Sequence, residues 1–352
     1  MNLLKPSRLA FVALSLPLAA QTPLFNDGTA FGGSRVFSDG LSPLGNPARY
    51  DRAAPGWHLS WVDGDQRASD NKAILGDTLA TDPTVVDGAL RRLADNPWAL
   101  RTRAYGLAMA RDAAGFGFTR EEFRSSFAAV DLTNLGAGLA ANTTVLDGRR
   151  AIVNRIHVGG GSLAGGTAAG FSFRAEQWQL GGIAPLLAQG GTFPYTLRAD
   201  DLVMSANPAS VKATNWALDA GFTRDLAEGL RLGVMVDQLN RKRLWDVDMK
   251  PQFRAALQLD LGPSTLLTLE SDLNRTARMP FPQKQRTAAA SLRYQVSASV
   301  TFRVGGERRE IGDASVTRVG GTLDLRMPSL LLSFGFQAGP DRPLKGLAAM
   351  VN

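Results

Sequence analysis

Residues 252–261 read QFRAALQLDL. Phe253, Ala255, Leu257, Leu259 and Leu261 fall on one side of an extended chain. Gln252, Arg254, Ala256, Gln258 and Asp260 fall on the other. Strict alternation with a period of two marks a strand with one apolar and one polar face. Strands of soluble proteins usually run about 5–6 residues, whereas a tilted membrane-spanning strand needs about 9–11. A run of ten that alternates throughout belongs to the second kind.

The same pattern repeats downstream. Leu267, Leu269 and Leu273 oppose Thr268, Glu270, Asp272 and Asn274. Ala288, Ala290, Leu292 and Tyr294 oppose Thr287, Ser291 and Arg293. Ala298, Val300, Phe302 and Val304 oppose Ser299, Thr301 and Arg303. Val319, Leu323 and Leu325 oppose Arg318, Thr322 and Asp324, and Leu330, Leu332, Phe334 and Phe336 oppose Ser333 and Gln337. The connections alternate as well. Segments 225–229, 262–264, 296–297 and 326–329 read as short turns, and 241–251, 275–285 and 308–315 as longer loops. Short turns on one side and long loops on the other are the habit of outer-membrane barrels. A sheet in hydrocarbon has no water for an open edge, so it has to close on itself.

Upstream, strands are expected over Trp57–Asp63, Leu100–Arg111, Gly115 to about Leu132, Ala151–Gly159, Thr167–Glu176, Thr214–Thr223 and Leu230–Leu239, with a last one over Leu344–Asn352. The total is about 14, an even number that puts both termini on the short-turn side. Trp216 and Phe222 share one face of their strand, six residues apart, as the two aromatic girdles of a barrel require. The fold class is therefore all-β, a transmembrane antiparallel β-barrel of about 14 strands with a short helical insertion. That insertion, 64–99, carries Asp82 as cap, Pro83 in the first turn, an apolar stripe of Val85, Val86, Ala89, Leu90 and Leu93, and Asn96-Pro97 as its stop. It reads as a mouth cover or plug.

The N-terminus reads as a signal peptide over residues 1–20. Lys5 and Arg8 precede the apolar run 9–18, and Leu18-Ala19-Ala20 offers a cleavage point before Gln21. Residues 21–352 then form a single barrel domain. Loss of Lys5 and Arg8 lowers the formal charge by two, from +7 to +5. The remaining basic residues are mostly scattered. The tight groups Arg241-Lys242-Arg243 and Arg308-Arg309 fall in expected loops, and no nucleic-acid reading motif accompanies them. The absence of cysteine removes disulfides, thiolate metal sites and a lipoprotein anchor.

Motifs of catalysis are weak. Gly159-x-Gly161-x-x-Ala164 has the spacing of a dinucleotide fingerprint, but Thr167 onward alternates like a strand where the fingerprint needs a helix. It reads as a glycine-rich turn. His58, between two tryptophans, suits a membrane interface, and His157 has no partner that the sequence positions. No catalytic residue, metal ligand or cofactor site is assigned. The polar strand face supplies the candidate lumen-lining residues instead: Arg254, Asp260, Glu270, Asp272, Arg293, Arg303, Arg318 and Asp324. In a lumen such charges are solvated, paired across strands, or in contact with a solute.

Gly45-Asn46-Pro47-Ala48, shortly before the first strand, resembles the Asn-Pro-Ala signature near the start of FadL-like outer-membrane barrels. Trp216–Asp219, the run from Leu230 to Lys242, residues 251–255 and Leu266–Leu273 resemble the related TraF-type (conjugal transfer) and PorV-like barrels. The chain departs from the usual ending of such proteins, because Asn352 stands where a terminal aromatic is common. The resemblance implies an outer-membrane barrel of about 14 strands, and FadL-like members carry hydrophobic molecules inward. The expected function is passage or binding of small solutes, hydrophobic ones among them, with outer-membrane lipid as the surrounding partner. The alternative is a structural or assembly role beside envelope machinery proteins, without transport. Neither reading is enzymatic or involves nucleic acid.

Overall fold

A strand that is apolar outside and polar inside must still pair both of its edges, and this chain pairs every one in a closed ring. The computed structural model describes residues 34, 36, 37, 46–48, 55–66, 74, 76–78, 80–95, 97–111, 113–133, 135, 144–187, 211–244, 247–278, 281–338 and 344–351. The expected signal peptide lies outside the described residues. The strands are β1 (Gly56–Gln66), β2 (Trp98–Arg111), β3 (Ala114–Ala129), β4 (Val145–Ala164), β5 (Thr167–Leu187), β6 (Val211–Ala227), β7 (Leu230–Asp237), β8 (Lys242–Leu244), β9 (Val247–Met249), β10 (Gln252–Gly262), β11 (Thr265–Asp272), β12 (Thr276–Arg278), β13 (Phe281–Gln295), β14 (Val300–Ile311), β15 (Ala314–Met327), β16 (Leu330–Ala338) and β17 (Leu344–Val351).

Each barrel strand pairs antiparallel with its predecessor and successor, β11 continues into β12 beside β13, and β1 closes the ring on β17 from Trp57↔Val351 to Asp63↔Lys345. The closed barrel has 14 strands; β8 and β9 form a separate two-stranded sheet. Alternation sets the faces as expected. On β10, Phe253, Leu257 and Leu261 are exposed on the outside, while Arg254, Ala256 and Gln258 are buried inside. Leu257 lies in register with Leu232 and Leu269, so three neighbouring strands share one apolar outer patch. Phe173 of β5 stacks on Trp216 of β6 within it, with ring centroids 6.2 Å apart.

The structure departs from the sequence reading in four places. First, β4 and β5 run 20 and 21 residues, about twice the expected length. At about 3.3 Å per residue they reach far beyond what a tilted span needs. Their outer face turns polar at Arg150, Gln177 and Gln179, which breaks the apolar alternation used to find their ends. Second, segments 275–285 and 308–315 are not loops: β12 and the start of β13 take up most of the first and pair from Thr276↔Gln285 to Arg278↔Phe281. β14 and β15 pair to Ile311↔Ala314 and turn through 312–313, where Gly312 takes a φ of 59°. Arg308 and Arg309 are therefore strand residues. Third, Gly159 to Ala164 belong to β4, and the turn follows at Gly165-Gly166, both at positive φ. Fourth, His58 faces inward and is buried, because the tryptophans at 57 and 61 take the opposite face of the same strand.

The insertion between β1 and β2 spans 67–97 rather than 64–99, because the two strands are longer than expected. Its helix α1 (Pro83–Asp95) buries Val86, Ala89, Leu90 and Leu93, and its contacts include β3. Asp82 caps it: its Oδ1 accepts from the Thr84 amide at 2.8 Å and the Thr84 hydroxyl at 2.6 Å. That bonding holds the exposed Asp82 carboxyl below its usual range. The Ala128 amide on β3 donates to the Pro97 carbonyl at 2.6 Å, which ties the end of the insertion to the wall.

Candidate functional site

The interior is built from three layers. Near the short-turn end, the segment that precedes β1 lies against the inner wall. Asn46 folds it on itself: its Nδ2 donates to the Val36 carbonyl at 2.9 Å and its Oδ1 accepts from the Ala48 amide at 3.0 Å. The wall is cut away where this turn touches. A Cβ on Gly161 or Gly170 would collide with the Pro47 carbonyl, one on Gly221 with the Asn46 side chain, and one on Gly233 with Val36 and Phe37. Glycine inside a strand commonly marks such a close approach of another backbone. Val36 and Phe37 then pack on Met235 and Ala256.

The segment is also fastened to the charged inner face. The Ser34 hydroxyl donates to Glu270 Oε2 at 2.6 Å. Glu270 in turn faces Arg254 at 3.2 Å, and Arg254 reaches Asp272 at 2.6 Å. Asp272 Oδ2 accepts from the Thr287 amide at 2.7 Å. Elsewhere, Arg303 holds Asp324 in a two-point contact at 3.0 and 2.8 Å, and Ser333 adds a third bond to that carboxylate. Arg318 pairs with Glu307 at 3.1 Å. Six of the eight candidate residues, Arg254, Glu270, Asp272, Arg303, Arg318 and Asp324, are thus buried in ion pairs. Asp260 is exposed and Arg293 half-buried. Both line a cavity of about 620 Å³ at the short-turn mouth, with Arg231 and Gln258.

A second charged cluster sits on β3 to β6. Arg155 bridges Glu121 at 2.6 Å and Glu176 at 3.3 Å. Arg174 pairs with Asp219 at 2.8 Å, and the Gln238 amide donates to the same Asp219 oxygen at 2.7 Å. His157 Nε2 lies 3.0 Å from the Thr119 hydroxyl. Trp178 Nε1 donates to Glu176 at 3.0 Å, and the Arg155 guanidinium lies 5.4 Å from the Trp178 ring centroid.

The third layer is the β8–β9 hairpin, which the long connection between β7 and β10 sends back into the lumen. Leu244, Val247 and Met249 pack on Ala151, Val153, Trp178 and Ala277. The Lys242 ammonium meets Glu176 directly. Burial pushes that ammonium down to about 8, against the pull of the Glu176 carboxylate. The hairpin is closed on itself by Arg241, which grips Asp248 at 2.8 and 2.6 Å; this solvent-facing contact raises the Arg241 pKa and lowers that of Asp248.

The sequence had offered the eight charges of the second half. It missed Glu121, Arg155, Arg174, Glu176, Asp219, Lys242 and Glu307. For the seat of the preceding segment the usable signal was the spaced glycines, one small residue per strand: Gly161, Gly170 and Gly221 opposite the Asn-Pro-Ala element and Gly233 opposite Val36 and Phe37.

No family model matches the chain, and no curated protein matches it in sequence. Solved structures match its fold over nearly their whole length. The CymD monoaromatic hydrocarbon channel aligns at a TM-score of 0.58 and 12% identity, covering 95% of this chain and 98% of CymD. The toluene transporter TbuX of Ralstonia pickettii aligns at 0.52 and 10%, covering 92% and 95%. The toluene transporter TodX of Pseudomonas putida aligns at 0.50 and 12%, covering 92% and 96%. At these identities the likeness is one of fold.

Proposed function

We propose that this chain is an outer-membrane channel of FadL-like type that passes small hydrophobic solutes. The observation that carries the reading is a lumen into which two elements outside the barrel ladder bring apolar side chains. Val36 and Phe37 pack on its wall near the short turns, and Leu244, Val247 and Met249 of the hairpin pack on it near the long loops. An open water pore needs neither element. A barrel that hands apolar molecules inward one at a time has use for both, because each stop offers an apolar surface in an otherwise ion-paired interior. The shared fold with hydrocarbon channels points the same way. In this reading residues 1–20 direct export, the short turns face the periplasm, and the eight inner charges form the ion-paired wall around the solute path, with Asp260 and Arg293 at its mouth. The insertion 67–97 covers the outer mouth.

The test is toluene flux into proteoliposomes holding the full-length protein. Flux that saturates and exceeds that of empty liposomes is expected. A rate equal to empty liposomes overturns the reading. The second reading, a scaffold within envelope transfer or secretion machinery, rests on the TraF-type and PorV-like resemblance, and on the same two lumenal elements, which also suit a barrel that conducts nothing. Co-purification of a stoichiometric envelope partner together with absent flux would select it.

A further inference from the structure

The seat beneath the β8–β9 hairpin has the makings of a ligand site of its own. Its walls belong to the barrel: Phe123 on β3, Ala151 and Val153 on β4, Trp178 on β5, Ala213 on β6 and Ala277 on β12. The hairpin that covers them shares no ladder with the barrel sheet. Its own Arg241–Asp248 contact holds it together as one unit. What it places in the seat is chemically simple: three apolar side chains and one ammonium. Lys242 Nζ stands against Glu176, 6.0 Å from the Trp178 ring centroid. An aromatic face beside a carboxylate is a favourable setting for an organic cation.

The charges left behind define the complementary ligand. With the hairpin withdrawn, Glu121 and Glu176 share Arg155, while Arg174 pairs with Asp219 and also acts on Glu176. Three carboxylates then face two guanidinium groups, next to an apolar wall. A neutral hydrocarbon fills the wall and leaves the charge of Lys242 unreplaced. A carboxylate adds repulsion. A protonated amine on an apolar body satisfies both.

We propose that this seat binds small protonated amines with an apolar, aromatic-type body, and that in the closed barrel the hairpin occupies it with Lys242 in the amine's place. The proposal deepens the passage reading and rests on it for its physiological sense, because it names a solute class for the outer stop. Binding itself is measured without flux.

The experiment is calorimetry at neutral pH on the full-length protein in nanodiscs, with 2-phenylethylamine, ethylbenzene and 3-phenylpropionate as probes. The amine is expected to bind about tenfold more tightly than either of the others, as one charge-assisted hydrogen bond allows. Lys242→Met frees the ammonium position and should tighten the amine further. Glu176→Gln should erase the preference, and because it also releases Lys242 it should tighten ethylbenzene. The double change Leu244→Ala with Val247→Ala loosens the hairpin without touching a charge. It should tighten the amine and ethylbenzene and keep their order, so the idea remains testable if Lys242→Met fails to fold. Equal affinity for the three probes in the wild type and in the loosened variant overturns the proposal. So does an amine preference that survives Glu176→Gln. Toluene flux without amine preference removes this proposal alone, and amine binding without flux removes the passage reading alone.

Discussion

At the residue scale, the two faces of β10 carry different kinds of cost. Leu257 is exposed on the outer wall, so Leu257→Arg sets a charge against hydrocarbon. Near the midplane that costs about 2–4 kcal/mol. Sequence alone makes Arg254→Leu the milder change, since a lumenal charge is expected to be solvated. The structure reverses that expectation. Arg254 is buried between Glu270 and Asp272, and its loss strands two carboxylates; breaking a buried pair costs about 3–5 kcal/mol. Urea unfolding in lipid should therefore show Arg254→Leu at least as damaging as Leu257→Arg, with partial rescue when Glu270→Gln and Asp272→Asn are added. An Arg254→Leu barrel of wild-type stability would mean that the carboxylates are reached by water. Which face a residue takes was readable from period two. Which charge meets which was not, because pairs such as Arg303 with Asp324 depend on a hairpin register set by the tight turn at 312–313, where the sequence reading had placed a loop.

At the element scale, the lumenal turn and the hairpin each depend on a local fit. Gly221→Ala puts a methyl where the Asn46 side chain sits, so it should unseat the segment before β1 without breaking the barrel. The expected result is a barrel that remains heat-resistant on gels and shows raised conductance in planar bilayers. Unchanged conductance would show that the turn is not the constriction. The hairpin is held by the Lys242–Glu176 contact as well as by Leu244, Val247 and Met249. A nitroxide on the exposed position Arg243→Cys, in a chain with no other cysteine, reads its docking directly. Glu176→Gln should lower the immobile fraction, and an unchanged fraction would show that the apolar contacts alone hold the hairpin.

At the scale of the whole molecule, ring closure and lumen filling are separable. The insertion 67–97 stands outside the ladder of 14 strands, with its helix contacts including β3. Deletion of residues 66–96 with a short Gly-Ser bridge should leave a heat-resistant barrel with raised conductance if the insertion covers the mouth. Unchanged conductance would make it a passive loop, and failure to assemble would make it part of the fold. Loops of this length without a role are uncommon. A doubly stopped barrel also predicts low conductance for the intact protein, far below that of an open water-filled pore.

Strand number, face assignment and closure were determined by the sequence alone, because hydrocarbon permits one solution for long alternating strands: every edge paired and the apolar face outward. The helix at 83–95 was legible for a similar reason, since its cap and stripe are local. The contents of the lumen were decided only by tertiary structure. Asn46, Lys242 and Glu176 lie far apart in the chain, and nothing in their neighbourhoods distinguishes a turn in water from a turn inside a barrel. Their roles arise when closure brings the glycines of β4 to β7 around the Asn46 turn, and Trp178 with the inner charges of β3 to β6 around a hairpin. In that confined space each buried charge must find a partner, and each apolar side chain must find a wall.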